Sequence, residues 1–155
     1  MSSTAVAVPQ GSAEMPSTDV QRLWFATLKK EWSSLAVLPS HPGGSAGPIA
    51  KALARVASMQ KDSSIKLISA EGTDLAGASR LIIEMTSHVA QGGLAIIVLD
   101  SVISNPAGIP VALAADAALL CVQLRAADVD TGKRTLELLG EAKFVGAVSF
   151  ESEVG

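Results

Sequence analysis

Tyrosine is absent from this chain of 155 residues, which carries one cysteine, two histidines, two tryptophans and three phenylalanines. A single cysteine, Cys121, excludes an internal disulfide framework and fits a reducing compartment. Two histidines and one cysteine are too few for a closed zinc site, and no metal is expected. No three basic residues stand in a row, and 12 Lys+Arg against 15 Asp+Glu leave a net charge of −3. With a pI near 5.3, that balance argues against a nucleic-acid or anionic-lipid footprint. The most apolar run, Leu94 to Leu99, ends at Asp100, far short of the roughly 20 residues of a membrane span. The first residues lack the basic and apolar regions of a secretory signal, so the chain reads as cytoplasmic, with no direct membrane insertion.

What is present is an alternation of two periodicities. Residues 1–16 are small and polar and are expected to be a disordered tail; 17–150 form one domain and 151–155 a short second tail. A helix is predicted from a Ser17 cap to about Glu31, with Val20, Leu23, Trp24 and Leu28 at helical spacing. A short apolar run, Leu35–Leu38, precedes the Gly/Pro-rich segment Pro39–Pro48 and a helix from Ile49 to about Met59. Strands are predicted at Ile65–Ile68, Leu94–Leu99, Ala117–Leu124 and Phe144–Val148. Between them lie a helix capped by Asp74, a short one over Ile109–Ala115, and one that Asp128 starts and Gly140 closes. Strands apolar on both faces and separated by helices define a three-layer α/β/α sandwich with a mainly parallel sheet of about five strands.

In such sheets ligands sit beyond the carboxyl ends of the strands. A strand, a glycine-rich loop and a helix, as at Pro39–Pro48, is the setting of a phosphate-binding loop, although a Gly/Pro turn without a ligand is the competing reading. The chemistry needs a lysine for the phosphates and a hydroxyl for magnesium, and the loop offers neither at the required place. Asp100, ending a buried aliphatic strand, stands where a Walker B carboxylate would, and equally where a turn residue would. His41 is expected to be an exposed loop residue, His88 to be solvated, Cys121 to be an inert buried thiol and Asp116 to be a turn residue.

In order along most of residues 17–150, these segments resemble the cytoplasmic tyrosine autokinase domains of bacterial polysaccharide export, within the MinD/ParA-like deviant-Walker ATPases. Asp19-Val20-Gln21-Arg22-Leu23-Trp24-Phe25-Ala26-Thr27-Leu28 is similar to the family's first helix, E-A-F-R-T-L-R-T-N-L. Pro42-Gly43-Gly44-Ser45-Ala46-Gly47-Pro48 matches the phosphate loop P-G-E-G-K-S-T. Ile97-Val98-Leu99-Asp100-Ser101 matches V-I-I-D-T, and Ala115-Asp116 with the strand to Arg125 matches A-D-G-V-L-L-V-V-R. Thr135-Leu136-Glu137-Leu138-Leu139 and Ala142 to Val148 complete the series.

The resemblance implies a P-loop NTPase-like fold and also shows what is lost. The family's lysine falls on Ala46, and its Ser-Thr pair falls on Gly47 and Pro48. The second acidic motif corresponds to Ser69-Ala70-Glu71, without its first aspartate, and the tyrosine-rich substrate tail is missing. Phosphoryl transfer depends on positioned charge, so the expectation is a catalytically inactive scaffold or regulator with no cofactor. Its partner would be the cytoplasmic side of a membrane polysaccharide co-polymerase or synthase, or a genuine kinase, with homo-oligomerisation a further route and no nucleic acid. In the family the first helix assembles rings through E-x-x-R-x-x-R. Asp19 and Arg22 match its first two positions, and with Trp24 and Phe25 they form the candidate interface unless the aromatics pack inward. The alternatives are a weak nucleotide hydrolase using Asp100 and the Gly43–Ser45 amides, or a MinD/ParA-like assembly factor.

Overall fold

Aliphatic runs with no charge on either face can only be strands if both faces are covered, and the computed structural model arranges them so. It describes residues 3–7, 17–125 and 128–151. The strands are β1 (Ser3–Ala7), β2 (Ser34–Pro39), β3 (Ile65–Ser69), β4 (Leu94–Val98), β5 (Ala117–Gln123) and β6 (Phe144–Glu151). The helices are α1 (Thr18–Thr27), α2 (Gly47–Gln60), α3 (Leu75–Ala90), α4 (Gly108–Ala114) and α5 (Val129–Leu139). One sheet in the order β1-β6-β5-β2-β4-β3 holds every strand, and every pair is parallel. The α/β/α sandwich expected from the sequence is therefore the fold, with β2 to β6 as the five expected strands.

The sixth strand is a correction. Ser3–Ala7 falls within the stretch read as a disordered tail, yet its backbone pairs with β6 from Ser3↔Ala147 to Ala7↔Glu151. A ladder of main-chain hydrogen bonds needs no hydrophobic side chains, so composition alone does not reveal it. Residues 8–16 and 152–155 lie outside the described residues.

Alternate residues of each strand feed two separate cores. Leu35 and Val37 of β2, with Ile96, Leu119, Cys121 and Val148, pack under α1 and α2. Ala36 and Leu38, with Ile97, Leu120 and Phe144, pack under α3, α4 and α5. A bulge between Ala118 and Leu119 sets Ala118 opposite Phe144 but Leu119 opposite Gly146. That slip turns Phe144 toward one core and Val148 toward the other, although simple alternation would put both on one face.

The helix caps read from the sequence are in place. The Ser17, Asp74 and Asp128 side chains accept from the N–H groups of Val20, Gly77 and Thr131. Gly140, at φ 87°, closes α5 with its N–H on the Leu136 carbonyl. Helix α1 stops at Thr27, short of the expected Glu31. The Trp32 indole N–H donates to the Thr27 carbonyl at 3.2 Å, satisfying a group that continued helix would have used.

At the amino ends of the strands Asp116 is more than a turn residue. Its Oδ2 accepts from the Ser33 and Ser34 N–H groups at 2.7 and 3.2 Å, while the Ser34 Oγ accepts from the Asp116 N–H at 2.8 Å. This reciprocal clamp ties β2 to β5 at their starts. Beside it Lys143 donates to the carbonyls of Leu113 and Ala115, which end α4.

Trp24 is 1% exposed, edge-on to Trp32 with ring centroids 5.7 Å apart, whereas Phe25 is 55% exposed. The helical turn separates these neighbours by about 100°, so α1 buries one and presents the other. In urea denaturation, Trp24→Ala is expected to lose about 3–5 kcal/mol and Phe25→Ala less than about 0.5 kcal/mol.

Candidate functional site

The carboxyl edge of the sheet gathers the loops after β2, β3 and β4. Because β2 lies between β5 and β4, and β4 beside β3, these three loops are direct neighbours. They bring Ser45, Glu71, Gly72, Thr73, Asp100 and Asn105 into one hydrogen-bonded group.

Asp100 is at its centre. Its Oδ2 accepts from the Gly72 N–H at 2.6 Å and from the Asn105 Nδ2 at 3.2 Å. The same Asn105 nitrogen donates to the Thr73 carbonyl at 3.0 Å. One carboxylate thus joins the β4 loop to the β3 loop. Gly72 can present its N–H there because its φ of 74° is a conformation that residues with a Cβ rarely adopt. The turn after Asp100 is held by its own groups: the Ser101 Oγ accepts from the Ile103 N–H, and the Ser101 carbonyl accepts from the Asn105 N–H.

The glycine-rich loop is closed in the same manner. Ser45 Oγ accepts from the Gly47 N–H at 3.2 Å and donates to Glu71 Oε2 at 3.4 Å. Helix α2 begins at Gly47 with Pro48 in its first turn, two residues earlier than expected. Proline brings no N–H, and the Gly47 N–H is taken, so two of the donors that an anion would use are gone. The Gly44 N–H bonds back to the His41 carbonyl, and the His41 imidazole covers Gly44 so closely that a Cβ there would lie 2.7 Å from Cε1. His41 is half-buried rather than exposed, with a secluded and unpartnered Nδ1. Ser40, ending the strand region, is buried, with its N–H on the Cys121 carbonyl and its hydroxyl unpartnered.

Ala46, where the resemblance puts the phosphate lysine, is 0% exposed and belongs to the core under α1 and α2. Pro42 and Gly43 form the exposed tip of the loop. The structure therefore brings Ser45 and Asp100 to the same edge, both tied by hydrogen bonds to the β3 loop, and seals Ala46 below it. Glu71, Gly72 and Asn105 were not recognised from sequence as partners of Asp100 and Ser45. The Glu71-Gly72-Thr73-Asp74 string signals a turn and a cap, but nothing in it says which carboxylate its N–H will meet.

Elsewhere the candidate residues divide. Asp19 and Arg22 form an exposed ion pair at 3.6 Å on α1, and Phe25 stands on the same exposed side of the helix, while Trp24 is withdrawn into the core. Trp24 is thus removed from the candidate interface, because the face of α1 that carries it also carries Val20 and Leu23. His88 is not simply solvated: its Nε2 lies 2.9 Å from the Ser64 carbonyl, and its ring covers Gly93. Burial pushes the Cys121 thiol far above its usual range, so it holds its proton and does not act as a nucleophile. Among the described residues no group of His, Cys, Asp and Glu is arranged to hold a metal ion, and no helix is long and apolar enough to cross a membrane.

Neither a protein-family model nor a curated protein matches the chain.

Replacing Asp100 removes the acceptor shared by the Gly72 N–H, which is exposed and turns to water, and the Asn105 amide, which keeps the Thr73 carbonyl. Asp100→Ala is expected to lower stability by about 0.5–1.5 kcal/mol in chemical denaturation. An unchanged midpoint would mean that the carboxylate is free for another task. Cys121 is expected to resist a thiol reagent in the native protein and to react only as the chain unfolds.

Proposed function

We propose that this chain is a P-loop ATPase-like protein that performs no phosphoryl transfer and acts by binding another protein. Its setting is bacterial exopolysaccharide synthesis or secretion, where it serves as a scaffold or regulator. The observation that carries the reading is the state of the carboxyl edge. Asp100 accepts from Gly72 and Asn105, Ser45 accepts from Gly47, and Ala46 lies in the core. The groups that would greet a nucleotide and its magnesium are either replaced or already satisfied within the chain. Catalysis of phosphoryl transfer relies on lysine, hydroxyl and carboxylate aimed at the phosphates, and no such set converges here.

The strand order favours descent from a nucleotide-binding ancestor. β2, which leads into the glycine-rich loop, is hydrogen-bonded to β4, which leads into Asp100, the adjacency that lets two loops face one phosphate chain. The polysaccharide setting comes from the ordered resemblance of residues 17–150 to the tyrosine autokinase domains. Partners of the matching kind are the cytoplasmic end of a membrane co-polymerase or synthase, or a partner kinase. The chain would then work in the cytoplasm, held peripherally at the inner membrane by that partner. Phe25, with Leu28 one turn on and the Asp19–Arg22 pair beside it, is the contact surface on α1.

Calorimetric titration of ATP and ADP, with and without magnesium, is expected to give no heat of binding up to millimolar ligand. Micromolar affinity would overturn the reading and make Asp100 the first residue to mutate. Phe25→Glu is expected to abolish capture of a co-polymerase cytoplasmic segment in pull-down while leaving the denaturation midpoint within about 0.5 kcal/mol of the parent. Undiminished capture would exclude α1 as the contact.

A further inference from the structure

The strand order leaves β3 at one end of the sheet, and among the described residues no strand lies beyond it. Its main chain is half used. The Ser64 carbonyl accepts from the Leu94 N–H, and the Ala70 N–H donates to the Val98 carbonyl. Parallel pairing from Ile65↔Leu94 to Ser69↔Val98 runs between these bonds, so Ser64, Lys66, Ile68 and Ala70 turn their main-chain groups to β4. Ile65, Leu67 and Ser69 turn theirs away from the sheet. Devices that usually blunt such an edge are missing at these three positions, which carry no proline, no charge and no bulge in the register. Leu67 is 39% exposed. The one charge of the strand, Lys66, lies on the α3 face and is held by Glu84 Oε1 at 2.9 Å.

We propose that the β3 edge pairs with β3 of a second copy of this chain, antiparallel about a two-fold axis at Leu67, so that two sheets become one. In that register Leu67 exchanges both main-chain bonds with Leu67 of the second copy, and Ile65 does the same with its Ser69. The two exposed leucine side chains then cover each other. Charge selects a second copy as the occupant. α3 links the parallel strands β3 and β4 and so runs back along them. Glu84 stands level with Lys66, and the exposed Arg80, one turn earlier on the same side of α3, stands level with Ile68. The axis exchanges these two levels. Glu84 of each copy faces Arg80 of the other, and its bond to Lys66 through Oε1 leaves Oε2 to receive the guanidinium. Lys66 falls opposite Ile68 of the second copy, so no like charges oppose each other. The covering helices also fit. α2 and α3 each pack on both β3 and β4. A helix centred over that pair of strands comes about 10 Å from its copy across the axis, an ordinary packing distance. Such a contact closes at the dimer. It uses neither α1 nor the loops at the carboxyl edge, so it is independent of the function proposed above.

Sedimentation of the full chain is expected to show a concentration-dependent dimer. Between dilute and concentrated protein, hydrogen exchange at the Leu67 and Ser69 amides is expected to slow at least about 10-fold, with Lys66 and Ile68, already bonded to β4, protected at both. Leu67→Lys sets two like charges on the axis and is expected to sediment as monomer, with Cys121 still protected from a thiol reagent. Arg80→Glu is expected to weaken the dimer at least about 10-fold, and an equimolar mixture with Glu84→Arg chains to restore it as a heterodimer. A chain that is monomeric at every concentration would overturn the proposal and leave the edge to a strand of another protein. A dimer that Leu67→Lys leaves intact, or in which the Leu67 and Ser69 amides exchange as in the monomer, would overturn it as well. If Leu67→Lys exposes Cys121, the Arg80→Glu variant and the exchange pattern of the unmodified chain decide.

Discussion

A parallel sheet covered on both faces leaves its interior strands no place for polar side chains except at their ends. Here β2 is buried at all six positions, and its neighbours β4 and β5 are aliphatic on both faces. Everything hydrophilic that the central strands carry is pushed to one edge or the other. Asp116 and Ser34 do the work at the amino edge, where they tie the starts of β2 and β5. Asp100 does the equivalent work at the carboxyl edge, joining the β4 loop to the β3 loop through Gly72 and Asn105. The two carboxylates act as clamps at opposite ends of one aliphatic block.

That role is complete without a bound ligand. An aspartate at the end of a buried strand has a favourable partner to find whether or not magnesium is present, because a nearby backbone N–H suffices. The loop after β2 is likewise held by partners within the chain. Ser45 satisfies the first N–H of α2, Pro48 removes another, and the His41 ring occupies the space above Gly44. The loop is held by neutral hydrogen bonds and a glutamate.

Helix α1 illustrates a different division of labour within ten residues. Its buried side, Val20, Leu23 and Trp24, anchors it over the sheet, and Trp32 both packs on Trp24 and ends the helix through Thr27. Its outer side keeps an ion pair and one large aromatic in water. An exposed phenylalanine contributes little to its own fold, which is why Phe25 rather than Trp24 is the residue to ask about a partner.

The sequence by itself determined the layers. Aliphatic strands spaced by amphipathic helices, with caps at Ser17, Asp74 and Asp128 and a closing Gly140, admit a parallel sheet with helices on both faces and little else. The absence of lysine from the Pro39–Pro48 loop and of tyrosine from the chain was equally plain, since a residue type is visible without a fold. Tertiary structure alone decided which of Trp24 and Phe25 turns inward, because that depends on the surface that α1 meets. It alone paired Asp100 with Gly72, which is 28 residues away, and Asp116 with Ser33, which is 83 away. It also recruited Ser3–Ala7 as a strand, since a backbone ladder is specified by the neighbour that offers it and not by the side chains that enter it. Periodicity is written locally, whereas hydrogen-bond partners are chosen by whatever the fold brings within reach.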